Sequence, residues 1–187
     1  MLDIETKSLW SHILGLGMAG ELKGTRLKTI PADVMTWQAW QKQHPESTVL
    51  AMSRTRYRDY SKDFYRQPER FVVGFVGGAG MRHCSFAMLK KAPLLNVDAD
   101  GLPVVILFSP ESTSVRLFDR RVGDRVLTFT DEKGELRDEQ TDSIWDRNSG
   151  IATDGTLKGT HLEAQVGIIS FTRTWQTFHP KSREVIE

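Results

Sequence analysis

The chain has 187 residues, 39% of them apolar, which suffices for one domain, or two small ones, with a packed core. Lys plus Arg number 25 against 24 Asp plus Glu, so the net charge of +1 leaves no electrostatic footprint for nucleic acid or an anionic membrane surface. The single cysteine, Cys84, excludes an internal disulfide and a multi-cysteine zinc site; no apolar run reaches the length of a membrane span, and Met1 to Glu5 lacks the basic start and apolar core of a signal peptide.

Thr6 to Trp10 leads into Gly15, Gly17, Gly20 and Gly24, a density of glycine that predicts short strands joined by positive-φ corners over residues 1–30. Val34, Trp37 and Trp40 recur at steps of three, predicting a short helix over 34–43 with Thr36 as its cap, stopped by His44-Pro45. Thr48 to Met52 reads as a strand. Residues 53–70 turn basic and aromatic, with Arg54, Arg56, Tyr57 and Arg58 among them: an irregular loop packing its rings on the body, or a site for an anion or a sugar. Phe71–Val76 and Met81–Leu89 flank Gly77-Gly78-Ala79-Gly80 and predict a hairpin. Leu102–Phe108 is an almost unbroken apolar run, the pattern of a buried strand, and a meander follows through Val115–Phe118 and Val126–Thr130, with turns near Gly123 and Gly134. Ile168, Phe171, Trp175 and Phe178 then predict a second helix, ended by His179-Pro180.

The chain states one of its segments twice. Asp3–Pro45 and Asp138–Pro180 align without gaps at an offset of 135, with 15 of 43 positions identical, where unrelated segments would share roughly two or three. The shared frame is D-x-x-T-x-S-[LI]-W-x4-G-x4-G-x-L-K-G-T-x-L, followed by the W-Q-x-x-H-P that ends each predicted helix. Some 35 residues of strand and turn, from Leu102 to Arg137, lead into the second copy, whereas the first starts at residue 3. The first copy is therefore expected to be truncated, lacking its opening strands, with an apolar edge left for another segment or for a second copy of the chain.

On these residues the chain resembles the bacterial and archaeal family called domain of unknown function 3179. Asp3 to Trp10 matches its D-R-E-T-G-S-L-W type motif, and Trp37 to Trp40 with His44-Pro45, Phe118-Asp119-Arg120-Arg121, Asp138 to Trp145 and Trp175 to Pro180 extend the likeness over essentially the whole chain. Members typically carry a Cys-Pro-x-Cys element and a strand pair ahead of the first motif, a portion this sequence does not contain. The resemblance implies an exported or membrane-anchored protein and brings no established activity. Where the family pattern has an alanine-tyrosine type pair, this chain has His83-Cys84.

The candidate sites each admit two readings. On a strand over 81–86, His83 and Cys84 point to opposite faces, so each needs its own partners; Cys84 is either an inert core residue or a thiol activated by Arg82 and His83. His44 and His179 occupy one repeat position at helix ends, where a cationic ring suits the dipole; if brought together with His83 or His12 they supply copper or zinc ligands. Ser8, Ser143, Trp10 and Trp145 either set turns around a buried indole or line a ligand cleft between the copies. No phosphate-binding glycine loop, Gly-x-Ser-x-Gly elbow or His-Glu-x-x-His helix occurs.

The expected fold is therefore a β-rich α+β protein, a single domain over residues 1–187, made of two tandem pseudo-repeats of short antiparallel strands with one short helix each. The expected function is a non-catalytic, extracytoplasmic ligand-binding or scaffold module, with a small molecule or a protein as partner and homodimerisation through the truncated edge. The alternative is a thiol redox or copper or zinc protein using Cys84 and the histidines.

Overall fold

The computed structural model describes residues 1–50 and 67–185. The basic, aromatic stretch from Arg54 and the last two residues, 51 and 52, of the strand expected over Thr48 to Met52 lie outside the described residues; its first three, Thr48 to Leu50, form no strand. Two four-stranded sheets face each other across the main core. One contains β3 (Phe71–Gly77), β4 (Gly80–Ser85), β15 (Ile168–Phe171) and β16 (Arg183–Glu184) in the order β15-β3-β4-β16. The other contains β5 (Leu94–Asp98), β6 (Pro103–Ser109), β7 (Ser114–Asp119) and β14 (Ala164–Gln165) in the order β14-β7-β6-β5. Their inner faces supply Val73, Phe75, Cys84, Leu95, Val104, Ile106 and Leu117 to one apolar cluster, closed at one end by Phe86 and Leu89 of α2 (Phe86–Lys91). Strand alternation sends Val105, Leu107 and Phe118 to the opposite face, where they pack on Phe129, Leu136, Trp145 and Leu162. The β5–β7 sheet is thus buried on both sides, and that is why β6 reads as an unbroken apolar run.

The third layer is the first part of the second copy with its lead-in strands. β10 (Phe129–Glu132), β11 (Glu135–Asp138), β12 (Ile144–Trp145) and β13 (Ala152–Asp154) form an antiparallel meander in that order. Lys133 and Gly134, both at positive φ, make the two-residue turn between β10 and β11. A minor ribbon, β8 (Arg121–Val122) with β9 (Arg125–Val126), precedes them. The first copy repeats the geometry: β1 (Leu9–Ser11) pairs with β2 (Leu16–Ala19) as β12 does with β13, and a Leu2–Leu9 bridge answers to the pairing of Arg137 with Ile144. Met1 and Trp10 exchange two backbone hydrogen bonds of 2.8 Å, at the register of Leu136 and Trp145.

The helices differ from the sequence expectation in extent. Helix α1 (Trp37–Gln43) is capped by Thr36, whose hydroxyl accepts from the Ala39 amide at 3.3 Å. The helix expected from Ile168 begins later, as α3 (Thr172–Phe178), because residues 168–171 extend and pair with β3. The strand expected over 81–89 ends at Ser85, whose hydroxyl accepts from the Met88 amide and starts α2. Among the described residues no helix is long and apolar enough to cross a membrane.

Candidate functional site

The repeated motif closes a hydrogen-bonded box. In the second copy the buried Asp138 carboxylate accepts from the Thr141 amide (2.7 Å) and hydroxyl (2.8 Å), the Ser143 amide (3.2 Å) and the Trp145 indole N–H (2.9 Å). Ser143 Oγ accepts from the Leu157 amide at 3.0 Å, and Ser8 Oγ accepts from Leu22 at the same distance. Both serines are fully buried. Gly155 sits at φ +88°, and a Cβ there would stand 2.8 Å from Ser143 Oγ; at Gly20, φ +90°, it would stand 3.0 Å from Ser8 Oγ. The frame D-x-x-T-x-S-x-W…G is thus a device for turning the chain about a serine hydroxyl, with an aspartate collecting the donors. In the first copy the Thr6 hydroxyl and the Glu5 amide hold the Asp3 carboxyl below the usual carboxylate range. Ser8, Ser143 and Trp145 are therefore held in these turns, while Trp10 is half-buried on β1.

The histidines and the thiol lie around the β3–β4 sheet. Cys84 points into the core, its sulfur 3.7 Å from that of Met88, and burial, reinforced by the nearby Glu184 charge, pushes its pKa up to about 12. A redox role calls for an exposed, acidic thiol, whereas Cys84 is buried and its burial disfavours the thiolate. Native protein is accordingly expected to resist iodoacetamide at pH 8 and to be labelled only after denaturation, as read by intact mass. Labelling of the folded protein at a free-thiol rate would contradict this burial.

His83 faces the opposite way, and its Nδ1 lies 2.8 Å from Ser182 Oγ. The Trp175 indole N–H, which can only donate, reaches the same oxygen at 2.9 Å and leaves the hydroxyl proton for His83. Burial lowers the His83 pKa, against an opposing pull from Glu184. His179 stacks on Trp175 at 4.2 Å between ring centroids, as His44 does on Trp40. His179 Nε2 is buried without a hydrogen bond of normal geometry; burial lowers its pKa, and the Ile13 backbone offsets this only in part. Each repeat histidine thus packs on the tryptophan of its own copy. Among the described residues no three His, Cys, Asp or Glu side chains gather as a metal cluster. Ser47 accepts from Trp40 Nε1 at 2.8 Å as Ser182 does from Trp175. These serines stand two residues beyond the Pro45 and Pro180 that end the aligned segments, so extending the comparison by two positions would have found them.

The two copies meet at a cleft of about 450 Å³. β14 covers β7 only at Leu117 and Phe118, so the edge of β7 before them is open to the first copy. The chain from Pro31 to Trp40 lies over that edge, secured by a 3.3 Å hydrogen bond from the Thr36 amide to the Ser112 carbonyl. Val115, Leu117 and Ile169, all in or against the main core, give the cleft an apolar wall, and Trp40 faces it across the gap. Arg116 is its one cation among the described lining residues. Its guanidinium donates to Asp33 at 2.7 Å and to Gln43 at 3.3 Å, both from the first copy, and to Asn148 of the second. Apart from Trp40, these residues were not singled out by sequence reasoning; the available signal was a charged residue inside the apolar strand Val115-Arg116-Leu117-Phe118.

Asp33 is the only carboxylate among the described lining residues, and it is committed to Arg116. The arrangement suits binding: an apolar wall, an aromatic face and a few fixed polar groups, in the size range of roughly 300–1,000 Å³ usual for small-molecule sites. Neither the curated proteins nor the solved structures compared with this chain include a match. A family model described as "Protein of unknown function (DUF3179)" matches residues 1–70 and 65–182, which take in both copies and the sandwich between them. The chain belongs to the DUF3179 family.

Proposed function

We propose that this protein is a ligand-binding module whose site is the cleft between its two copies, and that it holds a small molecule with an apolar body. The observation that carries this reading is the strap from Pro31 to Trp40 lying across the uncovered edge of β7 and leaving about 450 Å³ beneath it. A wall formed by core side chains favours an apolar body, since each buried methylene contributes about 0.8 kcal/mol. The test is a titration with 1-decanol followed by amide and indole NMR. Gly167, which lines the cleft, and the Trp40 indole N–H are expected to shift with a saturable profile, and Ala32→Trp, which fills the cleft from an exposed position, is expected to abolish the response. Shifts scattered over the surface, or unchanged in Ala32→Trp, would sink the reading.

A further inference from the structure

Arg116 narrows the class of ligand. A guanidinium on a sheet edge beside an apolar wall needs acceptors, and here they are of two kinds. Asn148 and Gln43 are neutral amides that fix the plane of the group. Among the described residues Asp33 is the only formal counter-charge paired with it, and it comes from the strap, not from either sheet. The Arg116 side chain is 12% exposed and that of Asp33 26%, so the pair lies at the mouth of the cleft with the carboxylate on the wetter side. Resting on the reading that the cleft binds a ligand, we infer that its ligand is an amphipathic carboxylate, whose head takes the place of Asp33 on Arg116 while its apolar body lies along Val115, Leu117 and Ile169.

The chemistry supports an exchange. Arginine matches a carboxylate through two parallel N–H donors, and such charge-assisted bonds are about twice as strong as neutral ones. Asp33 meets Arg116 through a single N–H donor, Nη2, whereas a ligand carboxylate can take two and also buries an apolar chain, which Asp33 does not supply. An uncharged ligand of the same shape gains the burial but leaves the Asp33–Arg116 pair in place under the strap. Asp33 therefore competes with an anionic head and is indifferent to a neutral one. Removing its charge is expected to tighten carboxylate binding, whereas binding would weaken if Asp33 were itself a ligand contact.

The experiment compares decanoate with 1-decanol by calorimetry and by the Gly167 amide shift, in the full chain and in Arg116→Gln and Asp33→Asn. The expected result is decanoate bound at least about tenfold more tightly than decanol, a preference lost in Arg116→Gln and increased about tenfold in Asp33→Asn with decanol unchanged. Equal binding of the two probes in the wild type overturns the carboxylate inference and leaves the cleft reading standing. Failure of both probes to bind overturns both. If Arg116→Gln does not fold, Asp33→Asn decides alone, since its position on the strap spares the core: unchanged or weakened decanoate binding there overturns the inference.

Discussion

Truncating Trp175 to alanine is expected to cost about 4 kcal/mol of unfolding free energy, whereas the same change at its repeat counterpart Trp40 costs about 1. The two tryptophans have the same local frame: each sits in a seven-residue helix, stacks on a histidine four residues on, and donates its indole N–H to a serine seven residues on. They differ in what lies beneath. Trp175 is fully buried on the outer face of β3, where Gly74 admits the ring; a Cβ at Gly74 would stand 2.0 Å from it. No residue of α1 is buried, and Trp40 covers the cleft without sealing a core. Removing Trp175 opens an indole-sized cavity above a glycine that cannot fill it and leaves the Ser182 hydroxyl with only His83. Urea denaturation of both variants measures the difference, and for a chain of this size about 4 kcal/mol corresponds to a fall in Tm of roughly 8–16 °C. Equal losses would mean that α1 and α3 are packed alike, contrary to the burial difference.

That contrast also shows where the sequence was legible and where it was not. The turns of both copies were readable because their causes are local: glycines at positive φ, an aspartate and serine at fixed spacing, and a proline ending each helix. The β-rich α+β class came from the same signals. The helix expected from Ile168 was misplaced because Ile168 to Phe171 pair with β3, almost 100 residues away, and no local pattern records a partner. Helix α2 was hidden because Phe86-Ala87-Met88-Leu89 continues an apolar run; Ser85 as a cap was the overlooked sign. The cleft was least legible of all. Arg116 meets Asp33 and Gln43 across 83 and 73 residues, and only the packing of the first copy against β7 brings them together.

The same separation of shared frame from unshared surroundings governs the second large effect. Asp138→Ala is expected to cost about 3 kcal/mol and Asp3→Ala distinctly less, although the two aspartates hold the same position in the repeat. Asp138 is 1% exposed and gathers two backbone amides, a hydroxyl and an indole N–H, all inside the layer that packs on the β5–β7 sheet. Alanine leaves those donors facing one another with no acceptor, and unsatisfied buried polar groups cost about 1–3 kcal/mol each before partial relaxation. Asp138→Asn should recover little, because its amide NH₂ adds a donor to a site that already has four. Asp3 takes the Glu5 amide and the Thr6 hydroxyl at a half-exposed position, where water replaces a missing acceptor. Chemical denaturation of the three variants tests the ordering, and Asp138→Asn at wild-type stability would show that the donors, not the carboxylate, set the geometry. The reason for the asymmetry lies one strand away: β10 places Phe129 against Trp145, ring to ring at 5.7 Å, and so closes the second box off from water. In the first copy Trp10 and Asp3 are only half-buried and Leu2 is exposed, so the same motif makes its turn in contact with solvent and contributes correspondingly less to stability.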